Sequence, residues 1–392
     1  MARKLKTSEV PSGWKYDLLD NFAIRCSGHT PSKSYPEYWD GGIKWISLTD
    51  SYRLDKGYIY ATDKEISAEG IANSSAELHP AETVVLSRDA GIGKSGVMAV
   101  PMAVSQHFIA WKCDNSEKLN SWFLYNWLQM NKAEFERQAV GSTIKTIGLP
   151  YFKKLKIAVP PYPEQKKIAQ ILSTWDKAIT TTEQLLSNSQ KQKKALMQQL
   201  LTGKKRLLDD NGVRFSGEWK NGHLSDLGKI TKGKALSSKD LIVGNYPVIA
   251  GGKSSPYNHR DYTHENVITV SASGAYAGYV AYHPYKLWAS DCSVVMGKSN
   301  SNIGFIYQLM SHMQSKIYSL QSGGAQPHVY PKDLEVLRVS IPPIGEQQKI
   351  ADVLSTADQE ITALQQKFDA FKQEKKALMQ QLLTGKRRVL VS

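Results

Sequence analysis

From Glu164 to about Thr202 the chain contains neither glycine nor proline, and its apolar residues recur in steps of four and three. Ile168, Leu172, Trp175, Ile179, Leu186, Leu196 and Leu200 form one stripe, with Thr182, Ser189 and Lys193 filling its middle. The same pattern returns after Glu346, through Ile350, Leu354, Ala357, Ile361, Leu364, Phe368, Phe371, Lys375, Leu378 and Leu382. This spacing predicts two helices, each with a heptad-like seam. Pro160-Pro161 and Pro342-Pro343 punctuate their starts, and Gly203 and Gly385 stand where helix stops are expected. A helix of roughly 38 residues would be about 57 Å long. One long amphipathic helix cannot bury its own stripe, so the two are expected to pack on each other; the alternative is that each stripe packs on its globular neighbour.

The regions between the helices read differently. Residues 14–158 and 219–340 are rich in glycine, aromatic and β-branched residues, with short strand-like runs such as Thr83–Ser87 and Asn266–Val270. Each has one helical patch, Ser121 to Gln138 and Ile303 to Leu320. The expected fold class is α+β, with two globular heads of mixed β-sheet, each followed by a long helix. The domains run 1–158, 159–206, 207–340 and 341–392.

The helical segments are copies. Ala195–Lys204 recurs letter for letter as Ala377–Lys386, and Glu164-Gln165 recurs as Glu346-Gln347, all at an offset of 182 residues. The heads differ almost everywhere. Trp14-Lys15 aligns with Trp219-Lys220 at an offset of 205, so the first head is 23 residues longer (205 less 182). The surplus is placed between Pro31 and Pro80. Like helices carrying unlike heads describe a two-part reader.

Charge adds a partner class. Lys and Arg number 50 against 36 Asp and Glu, a formal charge of +14, which favours a polyanion such as nucleic acid. Cys26, Cys113 and Cys292 are far apart and fit neither a disulfide framework nor a spaced zinc motif. No apolar run is long enough to cross a membrane and no secretory leader is evident, so a cytoplasmic setting is expected.

Catalytic motifs fail on context. Gly91-Ile92-Gly93-Lys94-Ser95-Gly96 matches a dinucleotide fingerprint, but a strand-like run follows it where a helix is required. Arg88 occupies the position of the first P-loop glycine, so the segment reads as a hairpin tip. Val159-Pro160-Pro161-Tyr162 lacks the asparagine of an amino-methyltransferase motif. No catalytic residue, cofactor site or metal site is assigned. Polar, basic and aromatic residues at predicted loops are instead candidates for DNA contact. In the first head these are Lys33, Lys44, Trp45, Ser47, Arg88, Lys94, Ser95 and Lys145; in the second, Lys253, Ser254, Tyr257, Asn258, His259, Arg260, Ser271, Ser273, Tyr276 and His328.

Two variable heads, each followed by Pro-Pro-x-x-Glu-Gln-x-Lys-Ile-Ala and closed by Leu-Leu-Thr-Gly-Lys, resemble the specificity subunit of Type I restriction-modification systems. Gly141-Ser142-Thr143 also resembles that family and adds Ser142 and Thr143 to the candidates; Gly323-Gly324-Ala325 departs from the usual form. The resemblance implies that each head is a target recognition domain reading half of a bipartite, asymmetric site in double-stranded DNA. It implies that the helices form an antiparallel coiled coil with pseudo-two-fold symmetry, which sets the spacing and docks two modification subunits. S-adenosylmethionine would bind those subunits, and ATP and Mg a separate restriction/translocase subunit, leaving this chain non-catalytic and without a cofactor. The rival readings are a stand-alone methyltransferase or nuclease, and a coiled-coil nucleic-acid-binding scaffold or RNA adaptor. Half-sites about one turn apart would lie roughly 34 Å, or 10 bp, from each other. Shortening both helices by one heptad is therefore expected to narrow the gap while leaving both half-sites unchanged, as read by mapping methylated positions.

Overall fold

The computed structural model describes residues 10–113, 117–142, 145–253, 255, 257–323 and 326–390. Contacts divide the chain into two units, Met1–Thr181 with Phe368–Ser392, and Thr182–Lys367. The boundary falls inside both long helices, which run Tyr162–Leu200 and Ile344–Leu382. Each unit therefore comprises one head and a segment of each helix.

In the first unit, a five-stranded sheet has the order Ile24–Ser27, Phe108–Lys112, Val84–Ser87, Ser95–Met98, Tyr58–Ile59. Its first four strands pair antiparallel and the last pairs parallel. Val84–Ser87 is buried along its whole length, as a strand covered on both faces must be. Trp39–Ile46 lies at the centre of a smaller three-stranded sheet. Helices Ser121–Met130 and Lys132–Gln138 follow the last strand of the large sheet. Asn120 caps the first of them by accepting from the Phe123 amide at 3.0 Å. A ribbon of Lys15–Leu18 against Lys156–Val159 closes the head at the foot of its helix. The two three-ten turns Pro36–Tyr38 and Leu48–Tyr52, the short strands Tyr58–Ile59 and Glu65–Ile66, and the helix Ala68–Ala72 all fall between Pro31 and Pro80.

The second unit repeats the plan. Its four-stranded antiparallel sheet has the order Gly228–Lys232, Cys292–Gly297, Val267–Ser271, Val280–His283. A three-stranded sheet places Val243–Ile249 between Tyr257–His259 and Trp288–Ala289. The ribbon is Lys220–His223 against Arg338–Ile341, and Asn302 caps helix Ile303–His312 as Asn120 does in the first head.

The helix segments within each unit run antiparallel. In the first, Trp175 meets Phe371 edge to face at 5.6 Å, and Lys375 pairs with Asp176 at 2.5 Å. In the second, Lys193 pairs with Asp358 at 2.5 Å and Ser189 donates to Glu360 at 3.1 Å. Every residue of both predicted stripes is buried or half-buried. The stripe's ends also serve the heads. Ile168, Leu172, Met379, Leu382 and Leu383 belong to the core of the first head, with Trp14, Trp111, Phe123 and Phe152. Met197, Leu200, Leu201, Ile350 and Leu354 join Leu224, Phe305 and Leu334 in the second. Helix pairing and head packing thus share one stripe.

The repeated Glu-Gln accounts for the junction. Glu346 is fully buried and accepts two bonds from Arg206, at 2.6 Å to Nε and 2.7 Å to Nη2. Gly203, at φ +69°, turns the chain after the first long helix so that Arg206 can reach back. In the first unit Arg388 grips Glu164 in the same way, at 2.7 Å through Nε and Nη2, after the turn at Gly385. The adjacent glutamines face the heads: Gln165 accepts from the Asn120 amide at 2.8 Å, and Gln347 from the Asn302 amide at 3.0 Å. Removing one member of a buried bidentate pair strands the other's charge. Arg206→Ala is expected to destabilise the chain by about 3 kcal/mol, read from the shift of the urea unfolding midpoint, and Arg206→Ala with Glu346→Leu by much less.

Candidate nucleic-acid interface

In each head the same two segments come together, the tip of a β-hairpin and the loop preceding the last short helix. In the first head the tip is Arg88–Lys94, between strands Val84–Ser87 and Ser95–Met98. Gly91 and Gly93 adopt φ of +80° and +79°, which a tight tip requires. A strand follows rather than a helix, so no phosphate-binding helix N-terminus exists at this motif. Residues Val140 and Thr146 bridge the second segment, which is tied to the tip where Arg88 donates from Nε to the Ile147 carbonyl at 3.1 Å and accepts the Ile147 amide at 2.9 Å.

Between them lies a cleft of about 290 Å³ lined by Gly91, Ile92, Lys94, Lys132, Glu136 and Lys145. Three lysines against one glutamate make it basic. Lys132 is fixed by Asp55 at 2.6 Å, and Asp55 in turn accepts from the Ser95 amide at 3.0 Å and Gln129 at 2.6 Å. Lys94 donates to the Ser51 carbonyl at 3.3 Å. Lys145 is exposed and has no ion-pair partner among the described residues. The sequence reading missed Lys132 and Glu136, because a short helix beside the core carries them and helical periodicity hides a side chain that borders a loop.

In the second head the tip is the turn Gly274–Tyr276 between Val267–Ser271 and Val280–His283. Gly274 donates its amide to the Pro327 carbonyl at 3.1 Å, and Val329 to the Ala272 carbonyl at 3.0 Å. Lys253 lies over the Tyr276 and Tyr279 rings at 5.3 and 5.5 Å. His328 stacks on Tyr330 with ring centres 5.9 Å apart. Gln314 stands at the repeat position of Lys132 and clamps the hairpin backbone, accepting from the Val280 amide at 3.1 Å and donating to the Gly278 carbonyl at 2.7 Å. Gln321 holds the Ala277 carbonyl at 2.7 Å. The second head thus sets tyrosine and histidine rings and a single ammonium group, that of Lys253, where the first sets three lysines.

The remaining sequence candidates separate. Lys33, Ser142, Tyr257, Asn258 and Arg260 are exposed, and Lys44 is half-buried on its strand opposite Glu65. Tyr257 and Asn258 lie on the smaller sheet of the second head, and Arg260, just beyond them, pairs with Asp261. Ser273 is half-buried on Asp291. Thr143 and Ser254 lie outside the described residues. Five candidates are corrected, because their side chains are inside the heads and cannot face a duplex. Trp45 is 5% exposed and donates its indole N–H to the His29 carbonyl at 3.0 Å. Ser47 caps the turn at Leu48, Ser95 takes a bond from Gln129, and Ser271 donates to the Gly251 carbonyl at 2.8 Å. His259 packs on Trp288 with ring centres 4.4 Å apart.

Among the described residues one group of metal-ligating side chains clusters, Cys26, Glu77 and His79 in the first head. Cys26, Cys113 and Cys292 form no disulfide with one another. Among the described residues no helix is long and apolar enough to cross a membrane.

The model of the Type I restriction modification DNA specificity domain matches residues 11–188 and 216–370. The chain belongs to that family. Relatives include the Type I restriction enzyme MjaIX specificity subunit of Methanocaldococcus jannaschii, 22% identical over 97% of this chain and 95% of that one. The EcoprrI specificity subunit of Escherichia coli is 25% identical over 85% of this chain and 84% of its own. The crystal structure of a Type I restriction-modification S subunit from M. genitalium shares the fold, with a TM-score of 0.67 at 17% identity over 97% of this chain and 99% of that one. The family match covers both heads and much of both helices, so the Type I specificity domain occurs twice here.

Each cationic contact with a phosphate steepens the fall of log K with log salt by about 0.9. Lys94→Ala with Lys145→Ala is expected to reduce that slope by about 2 in anisotropy titrations with duplex DNA. An unchanged slope would remove the cleft from the interface.

Proposed function

We propose that this chain is the sequence-specific DNA-recognition subunit of a Type I restriction-modification complex, each head reading one half of a bipartite, asymmetric site. The observation that carries the reading is the construction of the two heads. Both present a hairpin tip against the loop before the last short helix, on helices whose ends repeat letter for letter, yet three lysines line one while tyrosine and histidine rings with a single lysine line the other. Unlike surfaces on like frames suit two different half-sites. Lysine serves phosphates and guanine edges, whereas aromatic rings serve base and methyl contact. The net positive charge supplies the salt-sensitive part of binding.

On this reading the chain performs no chemistry. Two modification subunits would dock on it and carry S-adenosylmethionine, restriction/translocase subunits would use ATP and Mg, and the assembly would work in the cytoplasm. The helices between the heads would act as the spacer. A stand-alone methyltransferase or nuclease would modify DNA as the purified chain, and a scaffold or RNA adaptor would not discriminate among duplexes.

The test is methylome sequencing of cells carrying the full gene cluster, with and without an intact copy of this chain. Loss of one bipartite methylated motif is expected, and a methylome indifferent to the chain would overturn the reading. Lys253→Ala with Tyr276→Ala is expected to relax or abolish recognition in one half of the motif and leave the other half intact. Equal effects on both halves would argue against separate readers.

A further inference from the structure

A group of side chains away from the hairpin tip carries chemistry that DNA reading does not use. Cys26 lies on the edge strand Ile24–Ser27 of the large sheet in the first head. Glu77 and His79 come from the loop before the strand Val84–Ser87, where His79 and Met102 exchange backbone hydrogen bonds at 2.9 and 3.0 Å. The Cys26 thiol, a Glu77 carboxylate oxygen and a His79 ring nitrogen all lie within 4.8 Å of one another. His79 is fully buried, and neither ring nitrogen has a hydrogen-bond partner. Buried polar side chains are ordinarily paired, so an imidazole with both nitrogens free points to a ligand. Lys112 reaches Glu77 at 3.3 Å and balances its charge, but His79 has no such counterpart.

We propose that Cys26, Glu77 and His79 bind one borderline-soft divalent cation of the zinc class, with water in the fourth position. Thiolate, imidazole and carboxylate together are the donor set such an ion prefers. Bonds of about 2.0–2.3 Å place tetrahedral ligands about 3.5 Å apart, so the three groups must close by about 1 Å. Glu77 is exposed and free to swing. On binding, the Cys26 S–H bond breaks, the S–metal bond forms, and the proton leaves to solvent; Lys112 releases Glu77 and faces the new thiolate. The ion would pin the loop at residues 77–79 to the edge strand, covering one end of the sheet.

Cobalt(II) titration of the reduced full-length chain tests this without DNA, so its failure would leave the DNA reading untouched. One equivalent is expected to give thiolate-to-cobalt absorption in the near ultraviolet, bleached by zinc. Cys26→Ser should abolish that band and weaken binding at least about tenfold, and Glu77→Gln, which removes the carboxylate ligand, should weaken it too. Absence of the band in the wild type overturns the site. So does a band retained in Cys26→Ser, which would come from Cys113 or Cys292, or binding unchanged by Glu77→Gln in a chain whose circular dichroism shows it folded.

Discussion

The architecture depends on a carboxylate buried at the start of each long helix and matched by an arginine just beyond the end of the other. Glu346 with Arg206, and Glu164 with Arg388, are bidentate pairs in which the carboxylate is buried, so each carboxylate is costly unless its arginine is in place. Because the partners come from different copies of the repeat, the pair forms only when a helix start and the other helix's end meet in antiparallel register. The neighbouring glutamine fixes the head's capping asparagine to the same helix. Two adjacent polar residues thereby join three elements, which explains why this dipeptide is repeated while the heads diverge.

Much of this frame was legible in the sequence because it is periodic. The stripe from Ile168 to Leu200 and its copy from Ile350 to Leu382 identify buried positions directly, and Gly203 and Gly385 mark the turns. The pattern could not tell whether the stripe faces a helix or a head. It faces both, since Leu172 and Leu382 complete a head core while Trp175 and Phe371 meet between helices. That division depends on long-range packing that spacing alone does not encode.

The candidate interface is less legible, for two reasons. Polarity does not imply exposure: Ser95 and Ser271 lie in strands covered on both faces, where Gln129 and the Gly251 carbonyl satisfy their hydroxyls. Trp45 and His259 find partners inside in the same manner. Lys132 and Gln314, on short helices, are not marked by any loop signal, although they occupy equivalent positions in the two heads, the first held by a carboxylate and the second by hairpin backbone. Cys26 and His79 are 53 positions apart in the chain and become neighbours only through sheet pairing and the bridge to Met102.

The leucines that finish each head belong to the repeat, not to the head. Leu200 and Leu201 close one core, Leu382 and Leu383 the other, and the four residues are identical in type and setting. The same apolar socket therefore seats two heads of different sequence, and a head that keeps the matching apolar face needs no new solution to the packing problem.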